Sequence, residues 1–120
     1  MNAFAYRNGQ VNQGGFTKAS LDKPAFLIDW SDGLASGVTV SSVATVALDS
    51  TGSTVTTNCV SSTTNSGALT TVSMLTCGTS GTGAAPDGAR FRLRVTATLS
   101  TGILIYDVLV YIRDKAYLPS

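Results

Sequence analysis

Between Ala89 and Arg113 apolar side chains recur at every second residue, a period that one face of an α-helix does not present. Phe91, Leu93, Val95, Ala97 and Leu99 fall on one side, and Arg90, Arg92, Arg94, Thr96 and Thr98 on the other. That is a strand with one buried face. Ile103 to Arg113 follows with Leu104, Tyr106, Val108, Val110 and Ile112 on one face and Ile103, Ile105, Asp107, Leu109 and Tyr111 on the other, so it is apolar on both. Thr101 and Gly102 stand between the arms, Gly supplying the positive φ of a tight hairpin turn, and a three-residue turn from Ser100 fits as well. The stretch predicts a β-hairpin whose second arm lies inside a sheet or under a second protein.

The rest of the chain supplies partners for that hairpin. Pro24 to Trp30 reads as a strand with Phe26 and Ile28 on one side, ending in the turn signal Trp30-Ser31-Asp32-Gly33-Leu34. Gly37 to Leu48 reads as a long strand with Val38, Val40, Ala44, Val46 and Leu48 on its even face, and Ser42 opposed by Val43 marks a place for a bulge. Thr54 to Val60 is expected as a short strand, Ser61 to Gly67 as a loop and Leu69 to Cys77 as a further strand. Gly78 to Gly88, with four Gly and Pro86, is expected as a long loop. Six or seven strands, turn signals about every ten residues and no helical periodicity predict an all-β fold, an immunoglobulin-like antiparallel β-sandwich, with a small barrel as the alternative.

Residues 1–23 show no regular period and are rich in Asn, Gln and Gly, which predicts an extended N-terminal arm. Phe4, Tyr6, Val11 and Phe16 are spaced along it as anchors for a neighbouring subunit, unless the segment is only a frayed terminus. The domain then spans 24–115 and a short tail 116–120. Trp30 reads first as a lid on the core and second as a platform for a sugar.

Charged residues make up 12% of the chain, against about 25% in ordinary soluble domains. Ser and Thr together outnumber them, so the surface is largely hydroxylic and little self-repulsion keeps it from other proteins. With a net charge of +1 the chain advertises neither nucleic acid nor an acidic membrane as a partner. No run reaches the ~20 apolar residues of a membrane span, and the N-terminus lacks the layout of a signal peptide, so the chain is expected to start at Met1.

The absence of His removes the usual general base, the usual zinc ligand and every Ser-His or Cys-His pair, so no catalytic, cofactor or metal site is predicted. Asp29 and Asp32 flank Trp30 but bring too few oxygens for calcium and read as turn caps. Asp107, in an otherwise apolar strand, is expected to pair with Arg90, Arg92 or Arg94 across the hairpin. The three arginines form either a solvated strand face or a grip for an acidic partner. Cys59 and Cys77 match no metal-binding spacing; they are two small buried hydrophobes, or face each other and bridge if oxidised.

Two blocks carry a family likeness. Lys23-Pro24 and Phe26-Leu27-Ile28-Asp29-Trp30-Ser31-Asp32-Gly33-Leu34-Ala35-Ser36-Gly37-Val38-Thr39-Val40, followed by Asp87-Gly88-Ala89-Arg90-Phe91-Arg92-Leu93-Arg94-Val95-Thr96 and Ser100-Thr101-Gly102, resemble small tailed-bacteriophage virion proteins described as fibre-tail adaptors. The likeness covers Pro24 to Lys115, and the Ser/Thr/Gly-rich stretch from Ser61 to Gly83 departs from it. It implies a non-enzymatic structural component of a bacteriophage virion, assembled in the host cytoplasm, that links tail or neck to fibres or adjacent virion proteins. The partners so implied are other virion proteins (tail, neck, fibre or major capsid protein) and further copies of the chain in a homo-oligomer. A capsid decoration protein that cements through its arm is the alternative, and a carbohydrate-binding adhesin module is the alternative of another class.

Overall fold

A computed structural model describes residues 2–80 and 82–114. Its elements, in chain order, are β1 (Asn2–Ala5), β2 (Gln13–Lys18), β3 (Ala25–Asp29), β4 (Val40–Leu48), α1 (Thr56–Cys59), β5 (Val60–Ser66), β6 (Leu69–Met74), β7 (Arg90–Leu99) and β8 (Gly102–Ile112). They form two packed four-stranded sheets, ordered β1-β3-β6-β5 and β2-β8-β7-β4. Leaving β2 aside and lettering the other strands A to G, the order is ABED against GFC, the arrangement of an immunoglobulin sandwich. The all-β sandwich expected from the alternation is therefore the fold.

The hairpin β7-β8 forms as its pattern dictates, with Phe91 facing Val110, Leu93 facing Val108 and Val95 facing Tyr106. These six side chains are buried, and with Phe26, Ile28, Trp30, Val72, Met74 and Ile112 they fill the space between the sheets. The turn is one residue earlier than the first expectation. Leu99 pairs with Gly102, so Ser100 and Thr101 make the turn and Gly102, with φ of 154°, is the first residue of β8. Gly is needed there because a side chain is strained at that φ.

Four expectations are corrected. Residues 1–23 were expected as an extended arm with anchors for a neighbouring subunit, whereas β1 pairs in parallel with β3 and β2 in parallel with β8, one strand on the edge of each sheet. The chain reverses between them at Gly9, where Asn12 Oδ1 accepts from the Arg7 N–H (2.6 Å). The glycines that argued against structure permit it: a Cβ on Gly14 would lie 2.5 Å from the Phe4 ring and 2.8 Å from the Tyr106 hydroxyl. The strand around Val46 keeps its inner side on the odd residues, burying Ala47 and leaving Val46 44% exposed, because the register shifts between Val40 and Ser42 where a bulge was anticipated. Finally, Thr56–Cys59 is a helical turn rather than a strand, and the expected loop at Ser61 is the strand β5. As a sheet edge, β5 has only β6 as a backbone partner and stays largely exposed, and β-branched Thr suits it, with Val60 as its one apolar residue. Thr63 also reaches Thr45 of β4 through a 2.8 Å hydroxyl contact that ties the two sheets at this side.

Candidate interaction surface

The residues expected to bind partners are brought together, but mostly facing inward. Phe4 packs edge-on against Phe26 (5.9 Å between ring centres) and at a tilt against Tyr106 (5.6 Å). Phe16 lies 6.0 Å from Phe26, and Tyr6 lies 5.6 Å from Trp30. Together they close the seam between the sheets on the β1 and β2 side. Trp30 is fully buried, its indole N–H donating to Thr70 Oγ1 (2.8 Å), so it offers no face to a sugar. Of the five, Val11 alone projects into solvent, 90% exposed on the turn between β1 and β2.

Asp29 and Asp32 act as turn caps. Asp29 Oδ1 accepts from the Ser31 N–H (3.0 Å), which holds its carboxyl below the usual range, and Asp32 Oδ2 accepts from the Asn8 N–H (2.9 Å). Among the described residues no three carboxylates or thiols converge on a point where a metal ion would sit.

What remains open is the outer face of the β2-β8-β7-β4 sheet. Because β8 is apolar on both sides and only one side meets the core, Ile103 (58%), Ile105 (38%) and Leu109 (37%) stand exposed on the other. Val46 of β4 adds to them. The same alternation puts Arg90, Arg92 and Arg94 of β7 on this face between the two apolar strands. Arg94 is spent on Asp107 in a two-point ion pair (2.8 and 3.0 Å). Arg90 lies over the Tyr111 ring at 5.1 Å and Arg113 at 5.2 Å, so the ring is held between two guanidinium groups. Arg113 also donates to the Tyr111 hydroxyl, and that bond, with the charge of both guanidinium groups, holds the phenol below its ordinary pKa.

Arg92 is different. Its register partners are Leu48 and Leu109, and it lines a shallow depression of about 430 Å³ whose rim is the Asp49 to Gly52 turn. The Asp49 carboxylate at that rim is engaged locally, accepting from Thr51 N, Thr51 Oγ1 and Ser53 N. Four of the chain's eight cationic side chains thus gather on or beside one face, with the Asp107 carboxylate on it and Asp49 at its rim, while the whole molecule carries only +1. The signal for this surface was in the sequence, as the strand apolar on both faces and the arginine stripe beside it. No known protein family, curated protein or solved structure matches the chain.

Proposed function

We propose that the chain is a non-catalytic structural module of a bacteriophage virion, an adaptor that joins the tail or neck to fibres or adjacent virion proteins. The observation that carries the binding half of this reading is the exposed row Ile103, Ile105 and Leu109 beside Arg92, an apolar surface next to a guanidinium group that has no carboxylate partner among the described residues. Such a face suits a protein surface that brings apolar side chains and a carboxylate, since the apolar contact supplies affinity and the charge sets orientation. The low charge and hydroxylic surface favour standing contacts with other proteins, and the likeness of the Pro24 to Lys115 region to fibre-tail adaptors supplies the virion setting. Further copies of the chain are candidate neighbours on the same grounds. The decoration reading loses support once Phe4, Tyr6 and Phe16 are engaged within the chain, because it has the chain cement the capsid through that arm.

The test is assembly with a variant that alters the face and spares the core. The double substitution Ile105→Glu and Leu109→Glu is expected to leave a folded protein that no longer enters particles, and a particle reconstruction is expected to show the wild-type face covered by a neighbour. Normal incorporation of the variant, or a reconstruction with this face open to solvent, refutes the assignment.

A further inference from the structure

Cys59 and Cys77 are free thiols, 0% and 4% exposed. Two backbone hydrogen bonds fix where they sit: Cys59 O accepts from Leu75 N (2.8 Å) and Asn58 O accepts from Cys77 N (2.9 Å). The two residues therefore sit diagonally across one pair of hydrogen-bonded backbone segments, which brings their side chains next to each other. Cys77 has a φ of 70°, unusual for a residue with a side chain, and this breaks the alternation along the strand, so that Thr76, Cys77 and Gly78 are all buried. The two thiols are not equivalent in access. Cys77 lines a depression of about 250 Å³ bounded by Val55, Asn58, Pro86 and Phe91, whereas Cys59 lies behind it, away from solvent. Nor are they equivalent in charge. The neighbouring Cys59 thiol favours a thiolate on Cys77, while the same interaction and burial push the Cys59 thiol up. Lys18, itself buried with its ammonium donating to Ala19 O (3.0 Å) and Asp22 O (2.9 Å), adds a positive charge that acts the same way on Cys77.

We propose that this pair is a site of thiol–disulfide exchange, in which Cys77 attacks an external disulfide such as oxidised glutathione and Cys59 resolves the adduct to leave an intramolecular Cys59–Cys77 bridge. In the first step the Cys77 sulfur bonds one glutathione sulfur and the other glutathione leaves as thiol. In the second, the Cys59 thiolate displaces the remaining glutathione, also as thiol. Two S–H bonds and one external S–S bond are consumed, one protein S–S bond forms, and the protein is oxidised while two glutathione molecules are released reduced. The bridge closes the loop from Cys59 to Cys77, which contains the β5-β6 hairpin. It staples that edge of the sandwich once the chain leaves a reducing compartment.

The experiment treats the folded full-length chain with oxidised glutathione and follows intact mass. Wild type is expected to lose two hydrogens and keep no adduct, Cys59→Ser to retain one glutathione, and Cys77→Ser to remain unmodified. Adduct formation on Cys77→Ser as fast as on Cys59→Ser overturns the assignment of roles. Wild type that keeps both thiols, or links one molecule to another, overturns the site. Should a variant fail to fold, wild type alone decides, by the equilibrium constant for bridging in native buffer against that in denaturant. Loop closure predicts about a hundredfold preference for the native state, and a preference below about tenfold overturns the proposal.

Discussion

At the scale of single residues, the core is specified by a few side chains with polar duties as well as apolar ones. Trp30 donates to Thr70, Thr70 donates to Asn65 Oδ1 (2.9 Å), and Asn65 donates to Gly67 O (2.9 Å), so one chain of hydrogen bonds runs from the buried indole out to the exposed β5-β6 turn. Thr70→Val preserves shape and leaves the indole N–H buried without an acceptor. It is expected to cost about 1–3 kcal/mol in denaturant unfolding, while Thr70→Ser, which keeps the hydroxyl, is expected to cost less. Phe91 tests the packing. It is 8% exposed at the end of the core beside the depression that Cys77 lines, and Phe91→Ala is expected to cost about 3 kcal/mol or more, a loss under 1 kcal/mol being the result that would contradict its placement. The buried roles of Phe91, Leu93, Val95 and Val108 were legible because period-two alternation needs no tertiary knowledge. Gly14 was not legible. Its value lies in the Phe4 ring and Tyr106 hydroxyl that occupy the space of its missing Cβ, and nothing local in a Gly-Gly pair announces such contacts.

At the scale of elements, the N-terminal segment departs most from what its composition suggests. Short, Gly-rich strands have little intrinsic preference for a sheet, yet β1 and β2 satisfy the open backbone edges of β3 and β8 and place Phe4 and Phe16 over Phe26. Sheet pairing is decided by the partner, which is why a sequence window of 23 residues read as an arm. The same reasoning covers β5, where Ser and Thr form a strand because β6 offers an edge. Conversely, the bulge at Val40 to Ser42 decides which face of β4 is buried, and a one-residue shift moves every side chain to the opposite face. A consequence separates the structure from the arm reading. If the segment were an arm, its removal would leave a folded domain that fails only in assembly. Because it forms two edge strands, deletion of residues 1–18 uncovers Phe26 and Tyr106 and leaves two bare sheet edges, so the truncated chain is expected to aggregate or to melt well below the full chain. Gly14→Ala is the milder form of the same test and is expected to lower the melting temperature without changing the far-ultraviolet β signal.

At the scale of the whole molecule, the charge inventory sets how stability responds to pH. The chain has no His, so no side chain with an unperturbed pKa between 5 and 7 is present. Its acids are seven Asp, and two of them, Asp29 and Asp49, are held below the ordinary value of 3.8, Asp29 by the Ser31 N–H and Asp49 by the Thr51 hydroxyl and the Ser53 N–H. In the unfolded chain these hydrogen bonds are absent and the carboxyls bind protons more readily. Between the unfolded value and the lower folded values the unfolded state therefore holds more protons, and stability rises with pH across that window. The contribution is complete above 3.8 and is lost as pH falls through the folded values. Both carboxylates lie near or at the surface, so solvent screens the effect and it is modest for each. Repulsion acts in the same direction, because full protonation of the Asp side chains leaves eight Lys and Arg charges unopposed. The melting temperature is expected to be level from pH 7 to pH 5 and to decline below about pH 4, with a shallower decline in Asp49→Asn. A midpoint near pH 6 would mean that a group other than these carboxylates governs the fold. Thermal scans across the range, at low and high salt, distinguish the two acid terms: added salt screens the repulsion and leaves the short capping hydrogen bonds, so the residual acid sensitivity at high salt is the part that Asp29→Asn and Asp49→Asn together remove.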